Sequence, residues 1–81
     1  MTEYHISLPD VESVKRFVNA VTRFDCDIDI VSDRYIVDAK SIMGIFSLDL
    51  SRPLLLKINS SNTDDVEAIR DAISEFAVGQ T

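Results

Sequence analysis

Residues 26–39, CDIDIVSDRYIVDA, hold two alternating runs joined by Asp33 and Arg34. In the first run Ile28 and Ile30 face one way, Asp27 and Asp29 the other. Successive strand side chains point to opposite faces, so this pattern demands a sheet with one packed face and one open to solvent. The second run, YIVDA, pairs back on the first as an antiparallel hairpin. Its connection lacks the Asn-Gly signal of the commonest tight turns, which leaves the turn type open.

The flanking segments supply the rest of such a fold. TEYHISL reads as a strand, with Tyr4, Ile6 and Leu8 on one side and His5 and Ser7 on the other; Pro9 stops it. Asp10 stands at an N-cap position. Val11, Val14, Val18 and Val21 follow at helical spacing, widened by Phe17, which predicts a helix over residues 11–23. PLLLKIN reads as a further strand, whose first residue can be Pro53 because no ladder bond is needed there. NSSNTDD offers turn and cap residues, and Val66, Ile69, Ile73 and Phe76 form the stripe of a last helix that Gly79 can end. With a short helix capped by Ser41 before the last strand, the order is strand, helix, strand, strand, short helix, strand, helix. It predicts one α+β domain over residues 1–81, a four-stranded antiparallel sheet with three helices on one face. A ferredoxin-like fold shares this scheme apart from the short helix.

Composition excludes several classes of function. A chain of 81 residues allows one domain. The net charge of −6 and the scattered Lys and Arg leave no basic stripe for nucleic acid. The apolar runs are far too short to span a membrane, and the absence of a basic-then-apolar N-terminal signal predicts a cytoplasmic location. The single cysteine, Cys26, lies between Asp25 and Asp27, which favours a plain thiol over a reactive one. No cofactor and no metal site is implied.

Residues 38–50, DAKSIMGIFSLDL, are unusual: a dense apolar run opens on Lys40 and Ser41 and contains one of only two glycines. The segment AKSIMGIFSL, residues 39–48, resembles the regulatory segment of HPr, the histidine-containing phosphocarrier of bacterial sugar phosphotransferase systems. In that family a similar Lys-Ser-Ile-Met-Gly run holds a serine phosphorylated by a dedicated kinase. The resemblance implies the family's open-faced sandwich over nearly the whole chain, in preference to the ferredoxin-like alternative. It also makes Ser41 a candidate regulatory phosphorylation site, besides its cap role.

The resemblance fails at the phosphoacceptor. HPr carries its phosphoryl group on a histidine at the start of the first helix, in a Gly-Leu-His-x-Arg-Pro motif. Aligning Phe17-Val18 with the Phe-Val of that helix puts Asp10 at the histidine and Glu12 at the arginine, and counting back from Ser41 gives the same register. The only histidine, His5, lies in a strand pattern, where a partly exposed strand residue is the plain reading. A carrier needs a neutral imidazole nucleophile and positive groups around the phosphoryl group. Two acids there repel the incoming donor. Asp10 thus reads as a helix cap and, compatibly, as a fixed mimic of a charged acceptor.

Within residues 41–48 the plain reading packs Ile42, Ile45, Phe46 and Leu48 on the sheet, with Met43 as filler. So short a helix cannot bury every position, so Ile42 and Met43, or Met43 and Phe46, are expected to be partly exposed beside Lys40. Lys40, Ile42, Met43 and Phe46 then form a protein-docking patch. The resemblance implies phosphotransferase-system enzymes, an HPr kinase-like enzyme or a transcriptional regulator as partners. The reading is a non-enzymatic HPr-like binding or regulatory protein without histidine phosphocarrier chemistry. Its alternatives are a carrier with Asp10 as an atypical, acyl-phosphate acceptor and a small-ligand regulatory domain of ferredoxin-like fold.

Overall fold

A computed structural model of the protein describes residues 2–78. The elements in chain order are β1 (Thr2–Ile6), α1 (Val11–Thr22), β2 (Asp27–Ser32), β3 (Tyr35–Asp38), α2 (Ile42–Phe46), β4 (Leu54–Asn59) and α3 (Thr63–Ala72). A 3-10 turn, Ser74–Phe76, follows. The sheet is antiparallel with strand order β1-β4-β2-β3. β4 therefore lies between β1 and β2, as the position of the last strand beside the first requires.

One apolar layer joins the sheet to the helices. Ile6, Ile28, Ile30, Leu54, Leu56 and Ile58 bury their side chains in the same cluster as Val14, Phe17, Val21, Ile45, Ile69 and Ile73. The Phe17 and Phe76 rings meet edge to face, with centroids 5.7 Å apart at 84°, and so join α1 to the 3-10 turn. The opposite face is open. Cross-strand register puts His5, Leu55, Val31 and Ile36 in one row and Glu3, Lys57, Asp29 and Asp38 in the next. Lys57 sits between acids on both neighbouring strands and approaches Glu3 to 3.8 Å, the alternation of sign that cross-strand neighbours favour.

Several expectations need correction. Val11 does not join the buried stripe: it is 53% exposed, and the packed side of α1 begins with Ser13 and Val14. The strands are shorter than their patterns. Ser7 and Leu8 follow the end of β1, Cys26 precedes β2, and β4 starts at Leu54, after Pro53. The last helix does not run on through Phe76. It stops at Ala72, and the tighter turn after it still brings Phe76 into the core. Gly79 lies outside the described residues.

The hairpin turn resolves its own type. Asp33 has φ 54°, and no other non-glycine among the described residues has a positive φ. A positive φ at the first turn residue alone is the sign pattern of a type II′ turn. Aspartate tolerates it better than most residues, and Arg52 donates a 3.0 Å hydrogen bond to the Asp33 carboxylate.

Candidate functional site

Two helix N-termini carry the residues singled out in the sequence. At the first, Asp10 is the N-cap of α1 in extended conformation (φ −144°, ψ 173°). The Ser13 amide donates to Asp10 Oδ1 at 2.8 Å, and the Asp10 amide donates to Ser13 Oγ at 3.2 Å. This reciprocal pair is a capping box. The Ser13 hydroxyl also donates to the Asp10 carbonyl at 2.7 Å, and Ser13 is buried. Sequence reading named the cap but missed Ser13, although its spacing of three residues from Asp10 was the available signal.

The Ser13 amide, then the Ser13 hydroxyl, hold the Asp10 carboxyl below the ordinary aspartate range; slight desolvation opposes them and Arg16 adds a weaker attraction. Asp10 is therefore an anion wherever the protein is folded near neutrality. Glu12, one residue into α1, is exposed and approaches Lys15 at 3.9 Å. Arg16 is directed to the C-terminal turn, 3.3 Å from Glu75 and with its guanidinium 5.9 Å from the Phe76 ring centroid. The start of α1 thus presents two carboxylates and no histidine. His5 lies on the open face of the sheet, opposite Leu55, away from this helix.

A depressed carboxyl pKa has a definite consequence for stability. The capped carboxylate contributes fully above the ordinary aspartate pKa, and the contribution is lost as pH falls through the lower folded-state value. Asp49, held low by the Ser51 hydroxyl and then the Ser51 amide, acts in the same direction. Thermal melts at about pH 7 and about pH 3 should show the protein less stable in acid. The drop should be smaller in Asp10→Asn, whose amide still caps but does not titrate. An equal drop in both proteins would remove Asp10 from the acid response.

At the second N-terminus, Ser41 caps α2, and its Oγ accepts from the Gly44 amide at 3.2 Å. Gly44 answers why the run holds a glycine. A Cβ there would lie 3.2 Å from Ser41 Oγ and 3.3 Å from Val37 Cβ, so a side chain would crowd the cap and β3 and push them apart by a few tenths of an ångström. Ile45 and Leu48 are buried, and Ile42 is half-buried against the core. Of the two exposed pairs foreseen, the structure shows Met43 and Phe46, at 76% and 38% exposure. Met43 is not a core filler, and Phe46 does not pack fully on the sheet. Lys40 is not free beside Ser41. Its Nζ donates to the Phe24 carbonyl just past the end of α1, and the residue is half-buried. That link spans residues 24 and 40, and nothing local in the sequence announces it.

Comparison with known proteins decides the family. The family profile described as "PTS HPr component phosphorylation site" matches residues 12–77. The chain belongs to the HPr family. It is similar to the crystal structure of HPr-C-His from Thermoanaerobacter tengcongensis, at 28% identity and a TM-score of 0.72 over 93% of each chain. It is also similar to the phosphocarrier protein HPr from Bacillus anthracis, at 29% identity and a TM-score of 0.69, again over 93% of each chain. A histidine-containing phosphocarrier protein of a mycoplasma matches over 96% of this chain and 98% of its own, with a TM-score of 0.68; at 14% identity it shows the fold alone. The protein is thus phosphocarrier-like and related to the phosphotransferase system, in a family of carriers rather than catalysts that interact with other proteins of that system. The span matched to HPr begins two residues after Asp10. No described helix is long and apolar enough to cross a membrane.

Proposed function

We propose that this HPr-family protein is a non-enzymatic binding or regulatory member that does not carry a phosphoryl group on histidine. The observation that carries the reading is the engaged carboxylate of Asp10. It occupies the position aligned with the HPr acceptor, already bonded to the Ser13 amide. In the same register Glu12 replaces the family's arginine, and Ser13 replaces a proline that has no amide to give. An incoming phosphoryl donor meets fixed negative charge instead of a nucleophile flanked by a cation.

Binding is read at α2. Met43 and Phe46 expose apolar surface on a helix held against the sheet by Ile45, with Ser41 at its N-terminus. A phosphate on Ser41 would meet the positive end of the helix and change the charge beside Met43 without removing a core contact. Lys40 would reach that phosphate only by releasing the Phe24 carbonyl.

The test is competition. The protein is added in excess to the phosphorylation of a histidine-bearing HPr by the family's phosphoryl donor. It should slow that reaction by occupying the donor, and Met43→Glu should lose the effect while melting at the same temperature. No slowing at large excess, or equal slowing by the variant, defeats docking through α2. Treatment with an HPr kinase-like enzyme and ATP should label the protein and not Ser41→Ala; absence of label on the unmodified chain leaves Ser41 as a cap alone.

A further inference from the structure

The two edges of the sheet are treated differently. Along β1 the chain's own C-terminal segment lies against the edge: the Ser7 amide donates to the Phe76 carbonyl at 2.8 Å and the Val78 amide to the His5 carbonyl at 2.9 Å. Ile6 and Ala77 form a bridge between these bonds. The β3 edge has no comparable strand cover among the described residues. It also exposes two large apolar side chains, Tyr35 and Ile36, each 67% accessible. An open edge with apolar side chains is a template for another strand.

We propose that β3 pairs antiparallel with β3 of a second copy across a two-fold axis, with Ile36 opposite Ile36. Three features of the edge select this partner and register. The first is backbone polarity. The two-residue loop makes Ser32 and Tyr35 the hydrogen-bonded pair, so the alternating ladder turns the amide and carbonyl of Ile36 outward. A two-fold axis at Ile36 lets these groups bond reciprocally.

The second feature is charge. Arg34 and Asp38 stand two residues on either side of Ile36, and neither forms an ion pair within the described chain. Antiparallel pairing at Ile36 sets each Arg34 opposite the second copy's Asp38, twice by symmetry. Parallel pairing sets like charges together, and an antiparallel slip by two residues sets each charge opposite an isoleucine or beyond the strand. The third feature is the other face of the strand, where the same register sets Tyr35 opposite Val37, an aromatic–β-branched cross-strand pair.

The chemistry recognised is thus that of the strand itself, Arg-x-Ile-x-Asp, which is self-complementary when reversed. A four-residue edge buries little area, so the association is of the weak, transient class and is opposed by the −6 charge on each copy. The edge adjoins α2, since the Ser41 amide donates to the Asp38 carbonyl at 2.9 Å; reversals at Arg34 and Asp38 leave Met43 and Phe46 in place and so separate this pairing from the docking read at α2.

Sedimentation velocity and concentration-dependent NMR of the whole chain test it at protein concentrations up to about 1 mM, where a dimer with a Kd of about 1 mM is still well populated. The unmodified protein should self-associate, with line broadening centred on the Ile36 and Asp38 amides. Arg34→Asp should abolish the association, and so should Asp38→Arg. The doubly exchanged R34D/D38R chain should regain it, because the exchange restores both cross-copy pairs. Circular dichroism of each variant separates this pattern from loss of fold. A monomer at every concentration overturns the proposal. So does association that persists in the single reversals, or that stays lost in the folded double variant.

Discussion

Phe17→Ala is expected to cost about 3–5 kcal/mol, the range for removing a fully buried aromatic ring. Phe17 is 0% exposed and sits where α1 crosses the sheet's packed face. Its ring packs edge to face with Phe76, and the Phe76 carbonyl accepts the Ser7 amide beside β1. The cavity therefore loosens the helix, the C-terminal turn and the cover over the β1 edge together. A domain of this length holds roughly 4–12 kcal/mol in total, so the loss takes from about a quarter of the margin to all of it. Urea or thermal unfolding should show a midpoint lower by well over 10 °C, at about 4–8 °C per kcal/mol for a chain this small. A loss below about 1 kcal/mol would mean the ring is not the keystone its burial implies.

The second large effect is a gain of chemistry. If the proposed loss of the acceptor holds, Asp10→His combined with Glu12→Arg should make the protein accept a phosphoryl group on the new histidine. The fold already supplies the first turn of α1, with its unpaired amides and positive dipole end. What is missing is a nucleophile that is neutral and a cation near the transferred group, and the two substitutions supply one each. Asp10→His alone leaves the Glu12 carboxylate close by in the first turn, so the single variant should accept far less than the double. The cost is the capping box, because a histidine accepts the Ser13 amide less well than a carboxylate does. The double variant should therefore melt somewhat lower and still fold. Absence of label on a folded double variant would show that more than these two positions separates the chain from a working carrier.

Much of the fold was legible because its signals are local. The strict alternation of Ile28 and Ile30 against Asp27 and Asp29 specifies one packed face, and β2 lies in the sheet accordingly. Asp10, Ser41 and Asn62 mark helix starts, their side-chain oxygens accepting from amides two or three residues on. The misses are those that depend on distant partners or on where an element stops. Val11 fits the stripe of α1 by spacing, but nothing in the sequence tells that the packed side of the helix begins at Ser13 and Val14. Ile69, Ile73 and Phe76 keep an inward face whether the last step is an α turn or a 3-10 turn, so the pattern could not show the helix ending at Ala72. The direction of Lys40 and the need for Gly44 both follow from contacts between elements, with Phe24 and with Val37.

The site was legible in a different sense. The segment around Ser41 pointed to the HPr family, as the family profile bears out, and the proposed change of acceptor at Asp10 rests on the same register. The structure adds what holds the Asp10 carboxylate in place: the Ser13 amide donates to it. Asp10 is part of the helix's own architecture, and in the proposed register its carboxylate is lodged where phosphoryl transfer would need an open nucleophile.

That claim is tested most directly by intact-mass spectrometry of the unmodified protein after incubation with phosphoenolpyruvate and the family's phosphoryl donor, a histidine-bearing HPr serving as the positive control. The control should gain a phosphoryl group while this protein keeps its mass. An adduct on His5, an acid-stable adduct on any residue, or a labile acyl phosphate on Asp10 would contradict the account and make the protein a carrier.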